Sequence, residues 1–292
     1  MPDPIELSAV RPGDVLLHMG RGEISKLIAW ASDSGYSHSA LVFDVQTVAE
    51  AVSVGVRKTG LADRAVDSTD FSVIDVLRFG GRNANLDPAA LSALQAKVDG
   101  FIGAPYPLDE LFELGVVCAL RSKLDWPEPA KWLLRVALDH VIQTDPGRMV
   151  CSEFVYRSFA EAATVPAGRL RPQIEVVDQP PVPFPHIDWL ALLKEYEEAR
   201  HHSPNRALPP APTAGEGRGL QTRTMAPAAG KPDADVAVQA ERIRHLRAPS
   251  ATRALTSRAA IEDPWPNPAT VTPGDLANSP SFGCVGRLLQ SA

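Results

Sequence analysis

The sequence predicts an α+β fold, and three observations carry that prediction. β-like runs crowd the first eighty residues, helical patterns dominate from Asp87 to Ala163, and a last turn-and-strand signal returns near Ser281–Leu289. Strands grouped ahead of helices, rather than alternating with them, point to an antiparallel sheet with helices on it. With 292 residues and 45% apolar content, the chain is long enough and apolar enough to bury a sizeable core.

Asp14-Val15-Leu16-Leu17-His18 reads as a short strand. Glu23–Ser32 carries Ile24, Leu27, Ile28 and Ala31 at helical spacing. His38–Phe43 and Val48–Val54 are two β-like runs joined by a short polar link, and Phe71–Leu77 is a further strand with β-branched content. Asp87-Pro88 opens a helix bearing Leu91, Leu94, Val98 and Phe101, with proline suited to its first turn. Two more helices are expected over Leu108–Leu120 and Ala130–Ile142. Asp145-Pro146-Gly147 then breaks the chain, and Cys151–Ala163 is helical.

Proline divides the chain. Ten of the 27 prolines lie in residues 1–171 and seventeen in 172–292, thickening at Pro180-Pro181-Val182-Pro183-Phe184-Pro185. Residues 201–262 are rich in Ala, Pro, Arg and Thr with almost no aromatics, a composition that buries too little apolar surface to offset ordering entropy. We therefore expect one domain built from 1–171 plus 270–292. Residues 172–269 form a proline-rich, largely irregular insertion with a helix near 188–200.

Composition excludes several functions. Net charge is 29 − 35 = −6, which argues against a nucleic-acid-binding surface. There is no apolar run of 18 residues, so no spanning helix is expected, and Met1–Gly20 lacks a basic n-region ahead of an apolar stretch. A cytoplasmic setting is the default, with export by a signal-independent route as the alternative. The three cysteines, Cys118, Cys151 and Cys284, form no CxxC pair, which disfavours a zinc ribbon or a disulfide framework. No metal and no cofactor is expected.

Cys151 carries the most chemical information. It opens a helix, where the positive end of the helix dipole favours thiolate and the backbone N–H groups can hold an oxyanion. The alternative is a small buried hydrophobe. A thiolate nucleophile needs a base. Of the seven histidines, His201, His202 and His245 lie in or beside the proline-rich stretch, and His186 follows a proline run. His140 sits toward a helix C-terminus, and His18 ends the first strand. His38, at the entrance to a strand, remains. Glu50, a carboxylate within the apolar run Thr47–Val52, is costly to bury unless paired. It is otherwise an edge charge facing water. A two-residue loop at Val45-Gln46 would set Glu50 on the wrong face from His38. An odd loop or a bulge pairs Ala40 with Glu50 and makes His38 its diagonal neighbour.

These stretches, in this order, resemble the circularly permuted NlpC-like papain-fold cysteine hydrolases, the YiiX-like group related to lecithin retinol acyltransferase. Arg11-Pro12-Gly13-Asp14 is similar to the family's opening strand, and Tyr36-Ser37-His38-Ser39 to its histidine strand. Val48-Ala49-Glu50-Ala51 is similar to the acidic strand, and Val150-Cys151-Ser152-Glu153 to the nucleophile helix. Gly103-Ala104-Pro105-Tyr106 and Thr272-Pro273-Gly274-Asp275-Leu276 are looser matches. The resemblance implies a permuted papain-like fold, an antiparallel sheet with the nucleophile-bearing helix packed on it and extra helices between. It implies a thiol hydrolase of amidase or peptidase type, with Cys151 as nucleophile, His38 as base and then acid, and Glu50 orienting it. Tyr36 and Ser152 are candidates for oxyanion or substrate binding, and the substrate is peptide-like or an acyl compound. Acyl transfer or thioester cleavage on the same fold, and a non-catalytic binding scaffold, are the alternatives. Glu153 is assigned to the helix, pointing about 200° round the axis from Cys151.

Overall fold

The computed structural model describes residues 2–107, 148–175, 183, 185–202, 268 and 271–290. The helices expected over 108–120 and 130–142, together with Cys118, His140 and His245, lie outside the described residues.

The fold is α+β, as the sequence predicts. Six strands form one sheet: β1 (Asp14–Gly20), β2 (His38–Val42), β3 (Thr47–Val52), β4 (Gly55–Gly60), β5 (Phe71–Phe79) and β6 (Phe282–Gln290). Their spatial order is β4-β3-β2-β1-β5-β6, with every neighbouring pair antiparallel. The helices are α1 (Glu23–Ala31), α2 (Leu61–Ala65), α3 (Pro88–Asp99), α4 (Cys151–Ala160), α5 (Trp189–His202) and α6 (Pro273–Asn278).

Alternation along the strands sorts the core into two layers. Val15, Leu17, Leu41, Ala49, Ala51 and Leu77 face one side, against Leu94 and Val98 of α3, Phe154, Val155 and Phe159 of α4, and Leu276 of α6. Leu16, Ala40, Val42, Val48, Ile74 and Val76 face the other, against Leu61 and Ala65 of α2 and the N-terminal Ile5, Leu7 and Val10. Apart from Arg157, every residue of α4 is buried, the polar Ser152, Glu153 and Ser158 included.

Three sequence signals act as local chemistry predicts. Asp87 caps α3, its side chain accepting from the Ala90 N–H at 2.8 Å, with Pro88 at the first helical position. Thr272 and Asp275 form a reciprocal capping box at the start of α6, which accounts physically for the Thr-Pro-Gly-Asp-Leu segment. Asp14, nearly fully buried, receives Nε and Nη2 of Arg78, each at 2.7 Å, and so ties β1 to β5.

One reading needs correction. The run Val48–Val54 is not one strand: β3 ends at Val52, the chain turns at Ser53-Val54, and β4 returns from Gly55. Gly55 has φ +105°, and a Cβ there would meet the Ala104 carbonyl oxygen at 2.8 Å, so glycine serves both the turn and the close approach. The helix expected near 188–200 is present as α5, and it docks on α1. Glu195 accepts from the backbone N–H groups of Glu23 (2.8 Å) and Ile24 (3.1 Å), so a carboxylate from a distant segment satisfies the first turn of α1.

Candidate active site

The β2–β3 connection decides whether Glu50 can meet His38. The observed register pairs Val42 with Val48 and Ala40 with Glu50. The Phe43 N–H donates to Thr47 O at 2.9 Å, which leaves the three-residue loop Asp44-Val45-Gln46. Asp44 shapes that loop, its Oδ1 accepting from the N–H groups of Gln46 (2.8 Å) and Thr47 (2.7 Å). The loop is odd, and His38 and Glu50 share a face.

His38 Nε2 lies 3.1 Å from Glu50 Oε2. Glu50 has no solvent exposure. Its Oε1 receives Arg57 Nη2 at 2.8 Å and Nε at 3.1 Å, and its Oε2 also receives Arg64 Nη2 at 2.9 Å. Arg57 stands directly opposite Glu50 on β4, and Arg64 comes from α2. Burial alone would raise the Glu50 pKa. The His38 hydrogen bond and charge, with Arg64 and Arg57, more than reverse this and hold the carboxyl well below the usual carboxylate range. Glu50 is therefore ionised and fixed, not an edge charge in water.

With Glu50 on Nε2, Nδ1 is the His38 nitrogen left for the thiol. Cys151, at the start of α4 and buried, engages His38. Burial opposes the charged forms of both groups. The Cys151 interaction and then Glu50 override it at His38, whose pKa rises to about 9. Burial likewise pushes the Cys151 thiol up, but His38 and Ser39 outweigh it, and the thiol falls below its ordinary value. Both directions favour a thiolate–imidazolium pair. Ser39, through its backbone N–H and hydroxyl, adds to the lowering of the thiol pKa.

The structure thus brings Cys151, His38 and Glu50 together. It commits the Tyr36 and Ser152 hydroxyls elsewhere. Tyr36 Oη donates to Asp75 Oδ2 at 2.6 Å, and buried Asp75 also holds Arg287 Nη2 of β6 at 2.7 Å. Tyr36 thereby pins the turn that delivers His38. Ser152 Oγ donates to Val271 O at 2.6 Å and ties the start of α4 to the start of α6. Glu153 behaves as a helix residue: it accepts from the Val150 N–H and pairs with Arg157 at 3.3 Å.

Four residues of the site escape the sequence reading. Arg57 and Arg64 lie on elements it does not resolve, though Arg57 is the cross-strand partner of Glu50 once β4 is recognised. Tyr106 is near enough to Cys151 that burial and then the cysteine's charge push its phenol pKa well up. His18 lies inside β1, directly opposite His38. Cys284 is exposed on β6 and away from this constellation, and His186 and His201 are exposed. Among the described residues, no three His, Cys, Asp or Glu side chains converge as metal ligands, and no helix is long and apolar enough to cross a membrane.

No family model matches the chain, and no curated protein matches it. Among solved structures it is similar to the crystal structure of the metalloprotein YiiX from Escherichia coli O157:H7 (DUF1105), with 18% sequence identity over 65% of this chain and 82% of that one, at a TM-score of 0.37.

Proposed function

We propose that the protein is a thiol hydrolase that cleaves an amide or ester of a peptide-like or acyl substrate through a Cys151 acyl-enzyme. The observation that carries this reading is a single buried relay. The Glu50 carboxylate holds His38 Nε2, and His38 in turn engages a thiol whose pKa lies below its ordinary value.

The steps follow from those groups. The Cys151 thiolate attacks the substrate carbonyl carbon and forms a C–S bond, and the carbonyl oxygen takes up the electron pair. The Cys151 N–H stands at the open start of α4, where Val150 supplies no capping side chain, and supports that oxygen. Collapse of the intermediate expels the amine or alcohol, which takes the proton from His38. His38, now neutral, removes a proton from water as the water attacks the thioester. The acid leaves, and the thiolate and imidazolium return. Glu50 stays ionised throughout and orients the ring while stabilising its positive form.

An activity probe bearing a thiol-directed electrophile tests the reading. Labelling at Cys151 is expected in the wild type, lost in Cys151→Ala and strongly reduced in His38→Ala. Equal labelling of wild type and His38→Ala would refute the relay.

A further inference from the structure

His18 is a buried titratable group beside His38 that the reaction above leaves unused. It has no solvent exposure, and neither ring nitrogen has a hydrogen-bond partner among the described residues. Buried polar groups are nearly always paired, so an orphaned imidazole asks for an explanation. Its position supplies one. β1 sets His18 directly across from His38, with ring centroids 5.3 Å apart. Phe71 packs on both, 4.4 Å from His18 and 6.4 Å from His38, nearly parallel to the latter. The Arg64 guanidinium, which grips Glu50, covers Phe71 at 4.6 Å.

We propose that His18 is a positioning residue for His38: its buried neutral ring, wedged against both Phe71 and His38, holds the His38 imidazole in the one orientation that serves Glu50 and Cys151 together. This rests on the thiol-hydrolase reading, because the orientation matters only if the Cys151–His38 pair does chemistry. The charge on His18 is coupled to the same pair. The titratable and charged groups facing it are His38 on β2, Glu50 on β3 and Arg64 on α2, while β5 contributes only Phe71 and Ile74. Burial, His38 and Arg64 all disfavour protonation, and Glu50 alone favours it, so His18 stays neutral beside a charged His38. Acid that protonates His18 would place a second cation against His38 and discharge the thiolate pair. A phenylalanine at position 18 keeps the wedge and removes that liability.

The experiment measures the rate of Cys151 alkylation by iodoacetamide against pH on the full chain, in wild type, His18→Ala, His18→Phe and His38→Ala, with thermal melts alongside. In His18→Ala the rate at pH 7 should fall on the order of tenfold, as the thiol drifts back toward an ordinary pKa of about 8.5. His18→Phe should restore the rate at pH 7 and carry it to lower pH than the wild type. A lowered melting temperature in His18→Ala with an unchanged alkylation profile would mean that His18 only fills space, and would overturn the proposal. If His18→Ala does not fold, His18→Leu, which fills the space without a flat ring, decides: slower alkylation at pH 7 in the folded protein supports the role, and a wild-type rate overturns it. A wild-type profile that is indifferent to His38→Ala removes the pair itself, and with it both the hydrolase reading and the role of His18. A profile that depends on His38 but not on His18 removes only the latter.

Discussion

Glu50 illustrates what one residue costs and what holds it. A fully buried carboxylate is tolerated because three cationic or proton-bearing groups converge on it, and the proton on His38 is the one that chemistry would move. Glu50→Gln is expected to lower turnover on any accepted ester by about 10–10⁴-fold and to lower the melting temperature, because Arg57 and Arg64 lose their counter-charge. Wild-type-like kinetics would leave a Cys151–His38 dyad. The two arginines should differ. Arg57 is 45% exposed, so Arg57→Gln should cost about 1 kcal/mol or less. Arg64 is 15% exposed, and Arg64→Gln should cost about 1–3 kcal/mol in denaturant titrations. Linkage separates Cys151 from His38. The raised His38 pKa contributes stability that is full below about pH 6.5 and is lost as pH rises toward 9. The depressed Cys151 pKa works the other way, with stability present above the ordinary thiol value and lost as pH falls through the folded one. Between pH 7 and 9 the two offset in the wild type. Cys151→Ala removes the thiol and, with it, the strongest cause of the raised His38 pKa, so the fall in its melting temperature over that range should report only the share that Glu50 contributes. The three central residues were legible from type and position. The arginines were not, since Arg57 carries no signal until its cross-strand partner is known, and Arg64 sits on a five-residue helix that the sequence pattern does not resolve.

At the scale of elements, legibility followed the local code. The proline-started helix at Asp87 is short-range chemistry and reads directly, whereas the helix that the Thr272 capping box opens is equally local but is not among the expected elements. The parity of the β2–β3 loop could be posed from sequence but not decided, because Asp44 closes the turn through its side-chain carboxylate, which accepts from the Gln46 and Thr47 N–H groups, and not through an Asn-Gly signature. The β3–β4 hairpin was missed because Val52-Ser53-Val54 continues a β-like pattern straight through the turn. Only the positive φ at Gly55 and the neighbouring Ala104 carbonyl reveal the break. Gly55→Ala should accordingly cost about 1–3 kcal/mol in backbone strain and steric conflict. Because the hairpin carries Arg57 to Glu50, it should also slow Cys151 alkylation. A fully stable Gly55→Ala protein with normal alkylation would show that the turn has room that its geometry does not indicate.

For the whole molecule, the decisive join is between distant ends of the chain. β6 adds to the edge of β5 and brings Arg287 to Asp75, while Phe282 meets Phe79 and Phe159 edge to face. Asp75 is fully buried, and without Arg287 its described side-chain partner is the Tyr36 hydroxyl, the group that pins the turn before His38. The last strand therefore supports the candidate site through a chain of contacts from Arg287 to Asp75 to Tyr36 to the His38 turn. The sequence signalled a returning strand after the proline-rich stretch. It could not say which edge that strand would join, since pairing between segments some two hundred residues apart leaves no periodic trace. Arg287→Gln strands a buried carboxylate and should cost about 3–5 kcal/mol, the usual penalty for breaking a buried pair. Truncation after Ser281 removes the pair, the aromatic contacts and a nine-residue ladder together, and should abolish cooperative unfolding by circular dichroism at 25 °C. If the truncated chain melts cooperatively and its Cys151 alkylates at the wild-type rate, β1–β5 form a self-sufficient unit and β6 is an accessory edge. If Arg287→Gln alone slows alkylation while the melt stays cooperative, the support runs through Asp75 and Tyr36 and does not depend on overall stability.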